Sequence, residues 1–182
     1  INLNARLFQR IKTLFDHQEK EELTTEQKMV LQKYYHNFIR GGANLSSEDK
    51  EKLKKINNEL ASLSLKFGEN QLKETNDYQL VISDEKDLSG LPSGVIASAA
   101  ESAKESGLEG KWLFTLHNPS IIPFLQYADN RDLREQIYKA YINRGSRNNA
   151  SNNWDLVSKM VSLRAQKAKL LGFSDYASYV LD

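Results

Sequence analysis

With 182 residues the chain is long enough for one well-buried domain, and its 25 basic and 24 acidic residues leave a net charge of +1. That balance lacks the strong positive field on which nonspecific nucleic-acid binding relies, and the absence of cysteine rules out disulfide staples and thiolate metal sites. No apolar run approaches the ~20 residues of a membrane helix, and no signal peptide is visible at Ile1.

In chain order, Leu3, Leu7, Ile11 and Leu14 recur at helical spacing and predict a first amphipathic helix, which fades into the charged run from Asp16 to Glu22. Thr24 with Gln27 has the form of a capping box. Leu31, Tyr34 and Phe38 then mark the buried side of a second helix that ends at Gly41-Gly42. A third helix is expected from about Ser46 to about Thr75. Along it Leu53, Ile56, Leu60, Leu63 and Phe67 alternate in steps of three and four, the seam of a helix packed lengthwise on another. The short Gly41 to Leu45 connection makes the second helix its expected partner in an antiparallel hairpin. Gly68 interrupts the pattern, at about 1 kcal/mol relative to alanine.

Tyr78 to Ser83 alternates as a strand, and Trp112 to Leu116 is its natural partner. Between them lie the turn Gly90-Leu91-Pro92 and an alanine-rich helix from about Ser93 to Ser106, closed by Gly107. After the second strand, Pro119 stands at a helix entrance and Pro123 in its first turn. Asp129 or Asn130 opens a further helix with Leu133, Ile137, Tyr138 and Tyr141 on one buried face and Arg131, Arg134, Glu135 and Lys139 outside. Gly145 ends it. Past the polar loop to Asn153, Val157, Val161, Ala165, Ala168 and Leu171 form the inner face of a helix capped by Gly172, and Ser174 starts a last short helix. The expected fold is mainly α: a helical bundle with a long helical hairpin and one small two-stranded β element. It forms a single domain over 1–182, with possible sub-units 1–77 and 78–182.

Two stretches carry more than periodicity. Trp112-x-x-x-Leu116-x-x-Pro119 followed by Pro123-x-Leu125-x-Tyr127-Ala128-x-x-Arg131-x-Leu133-Arg134, and then Leu163-Arg164-x-x-Lys167-Ala168-x-Leu170-Leu171-Gly172-Phe173-x-x-Tyr176-Ala177, keep a fixed order and spacing. Together with Asp87-Leu88-Ser89-Gly90-Leu91-Pro92 they resemble the amino-terminal, non-catalytic part of the thimet oligopeptidase and peptidyl-dipeptidase family of zinc metallopeptidases, most of all its bacterial peptidyl-dipeptidases. The likeness covers about half the chain. His117-Asn118 departs from it, standing where the family has an acidic residue.

The resemblance implies a parent enzyme that hydrolyses short peptides with zinc held by His-Glu-x-x-His. In that motif the four-residue spacing puts two imidazoles on one helix face and the Glu serves as general base. His17 is followed by Gln-Glu-Lys-Glu, His36 by Asn-Phe-Ile-Arg and His117 by Asn-Pro, so none begins the motif. Catalytic, cofactor-binding and metal-binding residues are therefore expected to be none here, with the zinc in the parent enzyme. The implied partners are the carboxy-terminal catalytic half and short peptide substrates, with no nucleic acid and no membrane. The expected compartment is cytoplasmic, with a periplasmic one compatible. The first residue is Ile and not Met, which together with the resemblance implies a piece of a longer chain.

The remaining candidates have ordinary structural readings. His117 reads as a hydrogen-bonded turn residue, and Glu19, Glu21 and Glu22 as a solvated face. Arg144 and Arg147 are suited to bidentate anion or carboxylate binding, or to the negative end of a helix dipole. Tyr127, Tyr138 and Tyr141 read as core and hydroxyl anchors rather than a base-stacking platform. The alternative function is a stand-alone helical interaction module that uses the Leu53 to Phe67 seam.

Overall fold

The computed structural model describes residues 4–182, so Leu3 of the predicted first helix lies outside the described residues. The fold is mainly α, as expected, with eight α-helices and one two-stranded antiparallel sheet among the described residues. The chain divides into two compact units, Ile1–Leu63 with Ser158–Asp182, and Ser64–Val157. The helices α3 (Ser47–Asp77) and α7 (Trp154–Leu170) each contribute to both.

In the first unit α1 (Ala5–Asp16) and α2 (Thr25–Arg40) are joined by aromatic stacking. Phe8 lies 5.8 Å from Phe38 and Phe15 lies 3.8 Å from Tyr35, ring centre to ring centre. This corrects the predicted faces. Leu7 and Leu14 are exposed while Phe8 is buried, and on α2 Tyr34 is exposed while Phe38 is buried and Tyr35 half-buried. Large planar rings bury more area per contact than the leucines, so they decide which way the helices turn. The capping box at Thr24 forms: its hydroxyl accepts from the Gln27 amide and the Gln27 side chain accepts from the Thr24 amide.

On α3 Leu53 is buried and Ile56, Leu60 and Leu63 are half-buried; Gly42, just past α2, lies against both Leu53 and Leu171, and Glu59 bonds to Lys159 of α7 at 2.5 Å. On α7 the inner face is Leu156, Met160, Leu163 and Ala168, whereas the predicted Val157, Val161 and Ala165 are exposed. Two apolar stripes coexist on that helix, and the longer side chains take the inside. Gly172 has φ +89° and the Phe173 amide donates to the Ala168 carbonyl at 2.9 Å, the left-handed cap that was expected. The last helix, α8 (Tyr176–Leu181), follows it, and Arg40 donates to the Tyr179 carbonyl at 2.5 Å and pairs with Asp182 at 3.3 Å.

The second unit is built around β1 (Leu80–Ile82) and β2 (Trp112–Phe114), with Leu80 opposite Phe114 and Ile82 opposite Trp112. One face of the sheet carries Leu80, Ile82 and Phe114 into a core with Ala99 of α4 (Ser93–Glu105), Ile121 and Phe124 of α5 (Asn118–Tyr127), and Ile137 and Ala140 of α6 (Arg131–Ile142). Helices against the sheet supply the burial that two strands alone lack. Three details differ from expectation. Because α5 begins at Asn118, Pro123 sits inside the helix rather than in its first turn. Tyr138 is half exposed, since Leu133, Ile137, Ala140 and Tyr141 already fill the inner stripe of α6. Arg134, expected outside, is half-buried and donates to the Ala128 and Asp129 carbonyls at the end of α5.

Candidate functional site

The motif residues come together as a structural junction of the second unit. Ser89 and Asp129 exchange two bonds: the Asp129 amide donates to the Ser89 carbonyl at 2.9 Å, and the Ser89 hydroxyl donates to the Asp129 carboxylate at 2.7 Å. Asn130, the N-cap of α6, accepts from the amides of Asp132 and Leu133 and donates its side-chain amide to Asp87 at 2.8 Å. Between them Gly90, at φ +85°, passes so close that an added Cβ would stand 2.2 Å from the Tyr127 carbonyl oxygen. These residues hold a turn against a helix end, and their chemistry is spent on one another.

The polar loop after α6 is built differently. Glu74, only 5% exposed, accepts from the Gly145 amide at 2.8 Å and from the Asn149 side chain at 2.6 Å, with the Arg147 guanidinium 3.9 Å away. One turn before it on α3, buried Asn70 donates to Asn153 at 2.8 Å, and Asn153 in turn donates to the Phe67 carbonyl. Gly145 has φ +73° and an added Cβ would stand 2.5 Å from the Asn153 side chain. Buried polar groups must find partners, and here each end of the loop finds them on one face of α3.

Arg144 and Arg147, for which anion binding and a helix-dipole role were both open, serve mainly at the helix end. Arg144 donates to the Tyr141 carbonyl at 2.9 Å and to the Thr75 hydroxyl at 2.7 Å, its guanidinium 3.8 Å from the centre of the Tyr141 ring. Arg147 donates to the Ala140 carbonyl at 2.9 Å. Both neutralise carbonyls at the negative end of α6.

Beside this loop lies a cleft of about 520 Å³, lined among others by Lys73, Asp77, Tyr78 and Arg147. Lys73 is paired with Asp77 at 2.6 Å. The Tyr78 hydroxyl is buried with no hydrogen-bond partner among the described residues. Burial raises its pKa, with the Arg147 charge opposing the rise, so at neutral pH it is an uncharged phenol. The cleft thus offers donors for binding; its buried carboxylate is already saturated with donors and is placed as an anchor, not as a base.

The histidines do not converge. His17 caps α1 and its Nδ1 lies 2.8 Å from the Thr13 carbonyl oxygen. His36 packs edge-on against Phe15 and Tyr35, and His117 precedes α5 with its carbonyl accepting from the Ser120 and Ile121 amides. Glu19, Glu21 and Glu22 are exposed, as are Tyr127 and Tyr138; Tyr127 and Tyr138 are therefore not the core residues expected, whereas Tyr141 packs on the core. Among the described residues no three His, Cys, Asp or Glu side chains gather as a metal would require. Nor is any helix of the described residues long and apolar enough to cross a membrane.

Comparison with known proteins gives these observations a context. Residues 124–182 match the model of "Peptidase family M3". The chain is 35% identical over 98% of its length to a dipeptidyl carboxypeptidase of Escherichia coli, of which it covers 26%. It is 33% identical over 94% of its length to a probable cytosolic oligopeptidase A of Arabidopsis thaliana, covering 25% of that protein, and 32% identical to oligopeptidase A of E. coli, again covering 26%. The chain therefore spans about a quarter of the length of the curated relatives it matches.

Proposed function

Because this chain belongs to the M3 peptidases, we propose that it is the amino-terminal helical portion of a zinc-dependent oligopeptidase, forming part of the wall that admits and positions short peptides. The observation that carries this reading is the end-to-end match at 35% identity to a dipeptidyl carboxypeptidase about four times as long, in a chain whose three histidines stand far apart in sequence and begin no His-Glu-x-x-His motif. On this reading the metal and the general base lie in a catalytic portion that pairs with this one, in a cytoplasmic or periplasmic enzyme. The residues described above shape, orient and exclude water; they do not move a proton.

The dense satisfaction of polar groups around Glu74 and Asp129 supports a rigid scaffold. The interaction-module alternative loses ground, because Leu53 is buried and Ile56, Leu60, Leu63 and Phe67 are half-buried within the chain itself. The test is peptide hydrolysis. Residues 1–182 with added zinc are expected to leave a fluorogenic peptide of about ten residues intact, while the polypeptide encoded by the complete reading frame cleaves it. Hydrolysis by 1–182 alone contradicts the proposal.

A further inference from the structure

We propose that the outward stripe of α3 formed by Leu65, Gly68 and Leu72 is the surface on which the rest of an M3 peptidase polypeptide packs. This rests on the functional reading above, and names a contact surface within it.

Leu65 and Leu72 are 66% and 58% exposed, three residues before and four after Gly68, so all three share one helix face. A glycine inside a helix costs about 1 kcal/mol relative to alanine. Outside the helices, Gly42, Gly90 and Gly145 have a visible reason to be glycine: a positive φ, and an added Cβ that would collide with a neighbour. Gly94, which has neither, stands in the first turn of α4, whereas Gly68 lies in the middle of α3. Gly68 has neither reason. It is not among the positive-φ glycines, and a Cβ placed on it would meet nothing within 4 Å. Nothing in the described residues uses the gap it leaves between two exposed leucines.

A glycine flanked by leucines at helical spacing lets a second backbone come closer than the usual 8–10 Å between helix axes, with the leucines gripping either side. The edge of the stripe is charged but internally paired, Lys66 with Glu69 at 3.6 Å and Lys73 with Asp77 at 2.6 Å. An apolar centre within a polar, self-neutralised rim is the usual anatomy of a protein contact. The occupant follows from the relatives: they match this chain along nearly all of it and are about four times as long, so three quarters of such a polypeptide must pack somewhere. The seam from Leu53 to Phe67 is already largely covered, which leaves this stripe as the open apolar face of α3.

The chain has no cysteine, so Gly68→Cys introduces a single thiol at the centre of the stripe. Its maleimide labelling rate, normalised to the denatured protein and located by peptide mapping, is compared between residues 1–182 and the polypeptide encoded by the complete reading frame. At least tenfold slower labelling in the complete polypeptide is expected. Equal rates overturn the proposal, as does protection in 1–182 that grows with its own concentration, which would make the stripe a self-association surface. A reading frame with no further sequence overturns it too. Gly68→Leu gives an independent sign: it raises the melting temperature of 1–182 alone, where the side chain is unopposed, and lowers that of the complete polypeptide. Peptide hydrolysis is recorded on the same samples, so an active enzyme with an unprotected thiol defeats the contact surface while leaving the peptidase reading in place.

Discussion

Phe124→Ala is expected to destabilise the second unit by about 3–5 kcal/mol, the cost of removing a fully enclosed aromatic ring. Phe124 is 0% exposed, its ring centre is 4.6 Å from that of Phe114, and both stand in the core that joins the sheet to α4, α5 and α6. The surrounding strands and helices converge on the ring from several directions and cannot collapse together into the space it leaves. For a chain of this size the loss corresponds to roughly 10 °C in melting temperature. Tyr138→Ala, on the adjoining helix, removes a half-exposed ring and is expected to cost no more than about 0.5 kcal/mol. Thermal or urea denaturation of both variants checks the pair, and equal losses would mean that the assignment of inner and outer faces on α5 and α6 is wrong.

The second large effect is electrostatic. Glu74→Ala leaves the buried Gly145 amide without an acceptor, frees the Asn149 side chain and removes the carboxylate that faces Arg147, at an expected cost of about 2–4 kcal/mol. Glu74→Gln keeps one acceptor oxygen and should cost about half as much. The two variants also differ from a core substitution in where they act. Losing the anchor frees the loop after α6, whose Arg144 and Arg147 are trypsin sites now held by Tyr141, Thr75 and Ala140. Faster tryptic cleavage at those two arginines under native conditions is expected for Glu74→Ala and not for Phe124→Ala at matched stability. Unchanged cleavage would show that the loop is held by something other than Glu74.

The contrast between these residues explains what the sequence revealed. The first strand was legible because period-two alternation is local: Leu80 and Ile82 reach the core with Val81 outside, whereas on the second strand Leu113, expected outside, is buried next to Phe114 and Trp112 is half-buried. The caps at Thr24, Asn130 and Gly172 were legible for the same reason, being satisfied within four residues or so. Faces of helices with two apolar stripes were not. Val157 and Val161 match helical spacing as well as Leu156, Met160 and Leu163, and only the neighbour decides between them. The same ambiguity put Tyr34 in place of Tyr35 and Tyr138 in place of Ala140.

The buried polar network was invisible for a further reason. Asn70, Glu74 and Thr75 meet partners 69 to 83 positions away, and polar residues on a long helix ordinarily face water. A signal did exist in outline: Asn70 and Glu74 are four apart and continue the direction of a seam that is apolar up to Phe67. The motifs shared with the peptidases were legible as motifs, but their physical purpose emerges only when Gly90 is seen against the Tyr127 carbonyl. They fix the junction of a turn and two helices.

The central claim is that this chain is a scaffold separated from the metal that performs the chemistry. Equilibrium dialysis of residues 1–182 against micromolar zinc at neutral pH tests it most directly, because a His₂-carboxylate zinc site is filled at that concentration and scattered histidines are not. The account predicts that no stoichiometric zinc is retained. One zinc ion held tightly per chain would contradict it.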